Sequence, residues 1–128
     1  MYRIEIYENR NGESEIISLM EELNDKAKKD KSSRIRLKKI AEYIEILKKH
    51  GLQAGAPIIK HITNTELWEL RPTNDRIFFF YRSGNTFVLL HHFVKKTRKT
   101  PQREIEKAQS KLIDYLEREG CCYGKKLG

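Results

Sequence analysis

Three basic residues stand where alternating apolar patterns begin or end: Arg71 closes Glu66–Arg71, Arg76 opens Arg76–Arg82, and Lys95 closes Thr86–Lys95. Lys96, Arg98 and Lys99 follow directly, and no acidic residue interrupts Phe93–Arg103. Cations delivered by the ends of neighbouring strands suit an RNA phosphodiester. Arginine forks and lysine ammonium groups bind phosphate oxygens. Aromatic side chains such as Phe93 can stack unpaired bases. A concentrated cationic site also stabilises a pentacoordinate phosphorane, whose charge exceeds that of the ground state. A single strand-end Arg or Lys is ordinarily a solvated charge, but four cations packed into Lys95–Lys99 after a hydrophobic strand form a group.

Strand parity sorts these residues. Side chains two apart share a face, so Arg71 lies with Leu67 and Glu69, opposite Trp68 and Leu70. Arg76 lies with Phe78, Phe80 and Arg82. The same alternation places Lys95 with Phe87, Leu89, His91 and Phe93, and His92 with Val88 and Leu90. Arg82 and His91 therefore join Phe93, Arg98 and Lys99 as expected RNA contacts.

Other chemistries fit poorly. The chain has no Walker or dinucleotide glycine loop and no serine elbow. His50, His61, His91 and His92 lack cysteine or acidic partners at metal-ligand spacing, so neither a metal nor a cofactor is expected. Trp68 reads as core. Cys121 and Cys122 are neighbours in a polar tail and read as thiols without a role.

Hydrophobic residues make up 38% and charged residues 34% of the 128. That is too apolar for a disordered chain, and no apolar run is long enough for a membrane span. MYRIEIYENR lacks the apolar core of a signal peptide, and adjacent cysteines cannot staple a fold. The expected compartment is the reducing cytoplasm. The net charge of +8 is uneven: residues 1–30 carry −3, 31–60 carry +6, 61–103 carry +5, and 104–128 balance. The positive middle suggests nucleic acid as partner in preference to a membrane.

The elements that must position the cations follow from periodicity. Tyr2–Tyr7 alternates as a half-buried strand. Ser14 is placed to cap a helix to about Lys29, with Ile16, Leu19, Met20 and Leu23 on one face. Asp30–Ser33 reads as a break before a second helix, Ser33–His50, with the stripe Leu37, Ile40, Ile44 and Leu47, ended by Gly51. Gln53–Pro57 reads as a loop. Three strands then form a meander of hairpins over Glu66–Arg71, Arg76–Arg82 and Thr86–Lys95. Thr100 as N-cap and Pro101 open a last helix to about Glu119, with Ile105, Ala108, Leu112 and Tyr115 inward. The order β-α-α-β-β-β-α predicts an α+β fold in one domain over residues 1–120. Its small antiparallel-rich sheet carries the N-terminal helical pair on one face. Residues 121–128 read as a flexible tail.

The blocks LWELRP (Leu67–Pro72), RIFFFY (Arg76–Tyr81), FVLLHHFVKKTRKTP (Phe87–Pro101) and EIEKA (Glu104–Ala108) resemble the Gp49-like branch of HigB toxins in the RelE/ParE superfamily. The resemblance is specific over His61–Ala108 and looser over Tyr2–Leu52. It implies a RelE-like microbial RNase fold and a type II toxin. Such a toxin cleaves messenger RNA in the ribosomal A site, without a metal, by attack of a 2′-hydroxyl on the adjacent phosphate. Carried over residue by residue, it implies catalytic roles for Arg71, Arg76, Lys95 and Lys96. Arg98 and Lys99 then fall in its basic segment. Many relatives use a tyrosine near the C-terminus; neither Tyr115 nor Tyr123 is assigned that part, and the general base stays open. The implied inhibitor is a HigA-like helix-turn-helix antitoxin, dimerised within a hetero-oligomeric complex. It would cover the cations or dock on the helical pair, and docking there requires stripe residues left exposed. The alternatives are a ParE-like gyrase poison and a non-catalytic nucleic-acid-binding module.

Overall fold

The structure is a computed structural model that describes residues 1–119; Cys121, Cys122, Tyr123 and the expected tail lie outside the described residues. The chain runs β1 (Arg3–Ile6), α1 (Glu15–Lys26), α2 (Lys31–His50), a short 3-10 turn (Gly51–Ala54), β2 (Ile59–His61), β3 (Trp68–Leu70), β4 (Asp75–Arg82), β5 (Thr86–Val94) and α3 (Gln102–Glu119). The expected α+β class and order hold, with one addition. Strand β2 is three residues long, too short to show a period, and it pairs antiparallel with β3. The sheet order is β1-β5-β4-β3-β2, and β1 runs parallel to β5, so the sheet is mixed.

Local signals explain most element ends. Ser14 caps α1 by accepting from the Ile17 amide. Asp30 does more than break the chain. Its carboxylate accepts from the Ser32 amide and the Ser33 hydroxyl, so α2 starts at Lys31, two residues before the expected start. Gly51 ends α2 at φ +59°, where an added Cβ would meet the Tyr2 ring at 2.6 Å. At α3 the capping position belongs to Pro101, whose carbonyl accepts from the Glu104 and Ile105 amides. The Thr100 hydroxyl turns away to Glu69.

Each face of the sheet has its own core. Ile16, Leu23, Ile40 and Leu47 of the helical pair pack on Leu70, Ile77, Phe79, Phe87 and Leu89. Ala108, Leu112 and Tyr115 of α3 pack on Leu67, Phe78, Phe80, Val88, Leu90 and Phe93. Fully burying a side chain the size of Phe78 or Phe79 contributes on the order of 2–3 kcal/mol. The helical stripes are thus consumed by the sheet. Among the large apolar residues described on α1 and α2, only Ile35 is exposed, at 47%, which leaves little of the apolar patch that antitoxin docking on this face would require.

One parity expectation is corrected. Phe78 pairs with His91 but Phe79 pairs with Leu89, so Leu90 is an extra residue, a β-bulge. The insertion shifts the alternation by one. Val88 and Leu90 share the α3 face with His91 and Phe93, whereas Phe87 and Leu89 share the other face with His92. Alternation read across the whole of β5 therefore assigned Phe87, Leu89, Val88 and Leu90 to the wrong sides of Lys95.

On the helical-pair face, Asp75 anchors the start of β4. It is buried and takes two hydrogen bonds from Arg36 of α2, at 2.7 and 3.1 Å, and lies 2.8 Å from His92 Nε2. Burial alone would raise its pKa, but the hydrogen bonds from His92 and Arg36 outweigh it and bring the group from 3.8 down to about 2. A carboxylate with a depressed folded-state pKa stabilises the fold above its unfolded value, and that contribution disappears as pH falls through the folded value. We expect wild type to exceed Asp75→Asn in stability by an amount that shrinks by about 2 kcal/mol between pH 5 and pH 2. Urea denaturation at each pH measures it, and a pH-independent gap would show that Asp75 is not held ionised by this pair.

Candidate functional site

The β3–β4 hairpin sets the first two cations. Glu69 pairs with Phe78 and Leu70 with Ile77; the same register, continued one step past the strand, puts Arg71 across from Arg76. The turn between them is closed by the Asp75 amide on the Pro72 carbonyl at 2.9 Å. Arg76 is only 9% exposed, and its Nη1 donates to the carbonyls of Thr73 (2.5 Å) and Asp75 (3.0 Å). Thr73 holds φ +47°, unusual for a β-branched residue, and with it turns its carbonyl onto the guanidinium. Arg76 is therefore braced by its own turn as well as charged.

The third cation arrives from β5. Asp75 pairs with Val94, and the Lys95 amide donates to the Asn74 carbonyl at 2.8 Å, so Lys95 stands beside the same turn. It lies two residues past Phe93 on the α3 face. Lys60, on β2, is paired with Glu69 and adds a fourth. Burial lowers the Lys95 pKa; Glu69 opposes this, while Arg76, Arg71 and Lys60 push it further down.

Glu69 sits among them and is 1% exposed. Its Oε1 is 3.5 Å from Arg71 Nε and 3.8 Å from Arg76 Nε, and its Oε2 accepts from the Thr100 hydroxyl at 3.0 Å. The two Nε atoms are buried without a hydrogen-bond partner. At these separations the carboxylate acts through charge more than through bonds. Arg71 Nη1 and Nη2, Arg76 Nη2 and Lys95 Nζ bond to none of the described residues, so donors remain for phosphate oxygens. Lys96, Arg98 and Lys99 are exposed on the adjoining loop, where the Thr97 hydroxyl donates to the Lys99 carbonyl.

Three of the expected contacts lie elsewhere. Phe93 is 8% exposed and packs on Phe78 within the core. His91 is 2% exposed beneath α3, its Nε2 2.7 Å from Glu104 and its Nδ1 2.8 Å from Lys111 Nζ. An ammonium group can only donate, so Nδ1 is the acceptor, and the ring is neutral with its proton on Nε2. Burial lowers its pKa in the same sense. Arg82 is six residues from Arg76 along β4, about 20 Å at the usual rise. It donates to the Tyr115 hydroxyl and pairs with Glu5. Tyr115, raised in pKa by burial and by its hydrogen bond to Glu5, is committed to that end of the sheet.

Sequence reasoning missed Glu69, Lys60 and Thr100. Parity had placed Glu69 on the face of Arg71, and that was the available signal. Lys60 lies on a strand too short to recognise, and Thr100 had a plausible capping role. Among the described residues no group of three or more His, Cys, Asp or Glu side chains is arranged to hold a metal ion, and no helix is long and apolar enough to cross a membrane.

A family model of phage-derived Gp49-like proteins matches residues 18–112, a span that contains Glu69, Arg71, Arg76 and the loop Lys95–Lys99. No curated protein matches the chain.

Four cations around one carboxylate should prefer a multivalent anion to chloride. Inorganic phosphate should raise the melting temperature more than chloride at equal ionic strength, and Arg71→Gln should remove that surplus. Thermal melts of both proteins in the two salts decide it; an equal phosphate response in the variant would remove Arg71 from the anion site.

Proposed function

The chain belongs to the Gp49-like family, a family of RelE/HigB-type toxins, and from that premise we propose that it is a ribosome-dependent messenger-RNA endoribonuclease. A toxin of this kind has an antitoxin partner; we propose a HigA-like helix-turn-helix protein, dimerised in the complex, and the cytoplasm as the compartment. The observation that carries the reading is the convergence of Arg71, Arg76 and Lys95 on one end of the sheet, with hydrogen-bond donors left over.

In this reading the 2′-hydroxyl oxygen attacks the adjacent phosphorus and the bond from phosphorus to the downstream 5′-oxygen breaks. The products are a 2′,3′-cyclic phosphate and a 5′-hydroxyl; one proton leaves the 2′-oxygen and one reaches the 5′-oxygen. Arg71 and Arg76 hold the non-bridging oxygens, whose charge grows in the transition state. Lys95, with its pKa below that of an ordinary lysine, delivers the proton to the departing oxygen or adds further charge. Lys96, Arg98 and Lys99 bind flanking phosphates. The site residues are cationic, which suits a reaction run without a bound metal. Phe93, His91 and Arg82 have no part in this version of the chemistry, because of where they lie.

Two outcomes test it on purified ribosomes programmed with a defined message. Arg71→Gln and Lys95→Gln should each slow single-turnover cleavage about a hundredfold, corresponding to roughly 3 kcal/mol of barrier, with the melting temperature in chloride buffer unchanged. These positions are cleaner probes than Arg76, whose guanidinium also braces the turn. If Lys95 is the acid, the wild-type rate falls as pH rises through the Lys95 pKa, at a pH below that of a free lysine. Full-rate cleavage by both variants would refute the assignment.

A further inference from the structure

A buried carboxylate among catalytic cations needs an explanation, because it cancels part of the charge that the site requires. The same molecule contains an Arg–carboxylate pair built for stability: buried Asp75 and half-buried Arg36 meet fork to fork at 2.7 and 3.1 Å. Glu69 is arranged differently. It shares one oxygen between two guanidinium groups, at 3.5 and 3.8 Å, and gives the other to Thr100. Neither Arg71 Nε nor Arg76 Nε finds a hydrogen bond. The geometry sacrifices pair strength, and the outer nitrogens of Arg71 keep no hydrogen-bond partner among the described residues.

Its placement also bridges two segments. Glu69 is fixed on β3 between Lys60 and Phe78. Thr100 sits just before α3, at the end of the loop that carries Lys95, Lys96, Arg98 and Lys99. The loop's other end is held by the Lys95 amide on Asn74. Without Glu69, like charges facing each other across the hairpin would repel, and the loop would lose its inner tether.

We propose that Glu69 is a positioning residue: it holds Arg71 and Arg76 at a fixed spacing and, through Thr100, clamps the basic 95–101 loop beside them. The proposal deepens the endoribonuclease reading and rests on it for its functional meaning. It also makes a structural claim testable in the free protein. Glu69 does not touch substrate; it acts on the groups that do. Because the charge of Glu69 supports protonation of Lys95 against Arg76, Arg71 and Lys60, removing that charge must lower the Lys95 pKa further.

The test uses three substitutions and three readouts. In Glu69→Gln, the titration of Lys95 Nζ, followed by NMR in the free protein, should shift to lower pH. Single-turnover cleavage on ribosomes should fall at least tenfold, with ribosome affinity unchanged, and the alkaline limb of its pH profile should move the same way. Glu69→Asp, which keeps the charge, should leave Lys95 nearer its wild-type titration. Thr100→Val keeps every charge, and should speed amide exchange of residues 95–100 without changing exchange in the sheet. Thr100→Val preserves the test should Glu69→Gln fail to fold. An unmoved Lys95 titration in Glu69→Gln, or unmoved loop exchange in Thr100→Val, overturns the proposal. If both shifts occur while wild type cuts no message on ribosomes, the enzyme reading fails and Glu69 remains the organiser of an anion site.

Discussion

Like charges confined to one end of a hairpin repel, and the rest of this molecule is arranged so that Arg71, Arg76, Lys95 and Lys60 nevertheless stay together. Directly opposed cations on neighbouring strands destabilise a sheet, and burial adds a desolvation cost that falls hardest on Arg76. Two carboxylates offset this from different sides. Glu69 lies among the cations on the α3 face, and Asp75, on the opposite face, starts the strand that carries Arg76. A site assembled in this way keeps more positive than negative charge, and in the proposed function a phosphodiester supplies the balance.

The scaffold accounts for how the cluster is held open at one end only. Helix α3 covers most of its face of the sheet, and His91, Glu104, Lys111 and Glu15 tie it to β5 and to α1. The opposite face is closed by α1 and α2, with Arg36 carrying α2 to the start of β4. Where α3 begins, the chain must cross from the end of β5 through Lys95–Pro101. The crossing loop thus delivers its cations beside the hairpin as a consequence of topology.

Much of this was legible in the sequence because it depends on period and on caps. The Ser14 cap and the inward stripes of the helices follow from local patterns, and the structure has them. The three strand ends are each displaced by one residue, so that Arg71 falls just past β3, Arg76 is second in β4 and Lys95 falls just past β5. What was not legible depends on pairing. The bulge at Leu90 leaves no mark in the apolar run FVLLHHF, so the sides of Val88, Leu89 and Leu90 were inverted. Strand β2 exists only because β3 offers it an edge, which hid Lys60. Glu69 shared a face with Arg71 on paper, but its meaning depends on Thr100, 31 residues away, whose hydroxyl was expected to serve as a cap.

The central claim is that the cation cluster cuts messenger RNA during translation. Inducing the chain in growing cells and mapping messenger-RNA 5′ ends tests it most directly, with an Arg71→Gln chain as control at matched expression. The account predicts new 5′-hydroxyl ends within translated reading frames, in fixed register with codons, suppressed by a translation-initiation block and absent with the variant. Growth arrest with intact messages, whether accompanied by gyrase-dependent DNA breaks or by nucleic-acid binding alone, would contradict it.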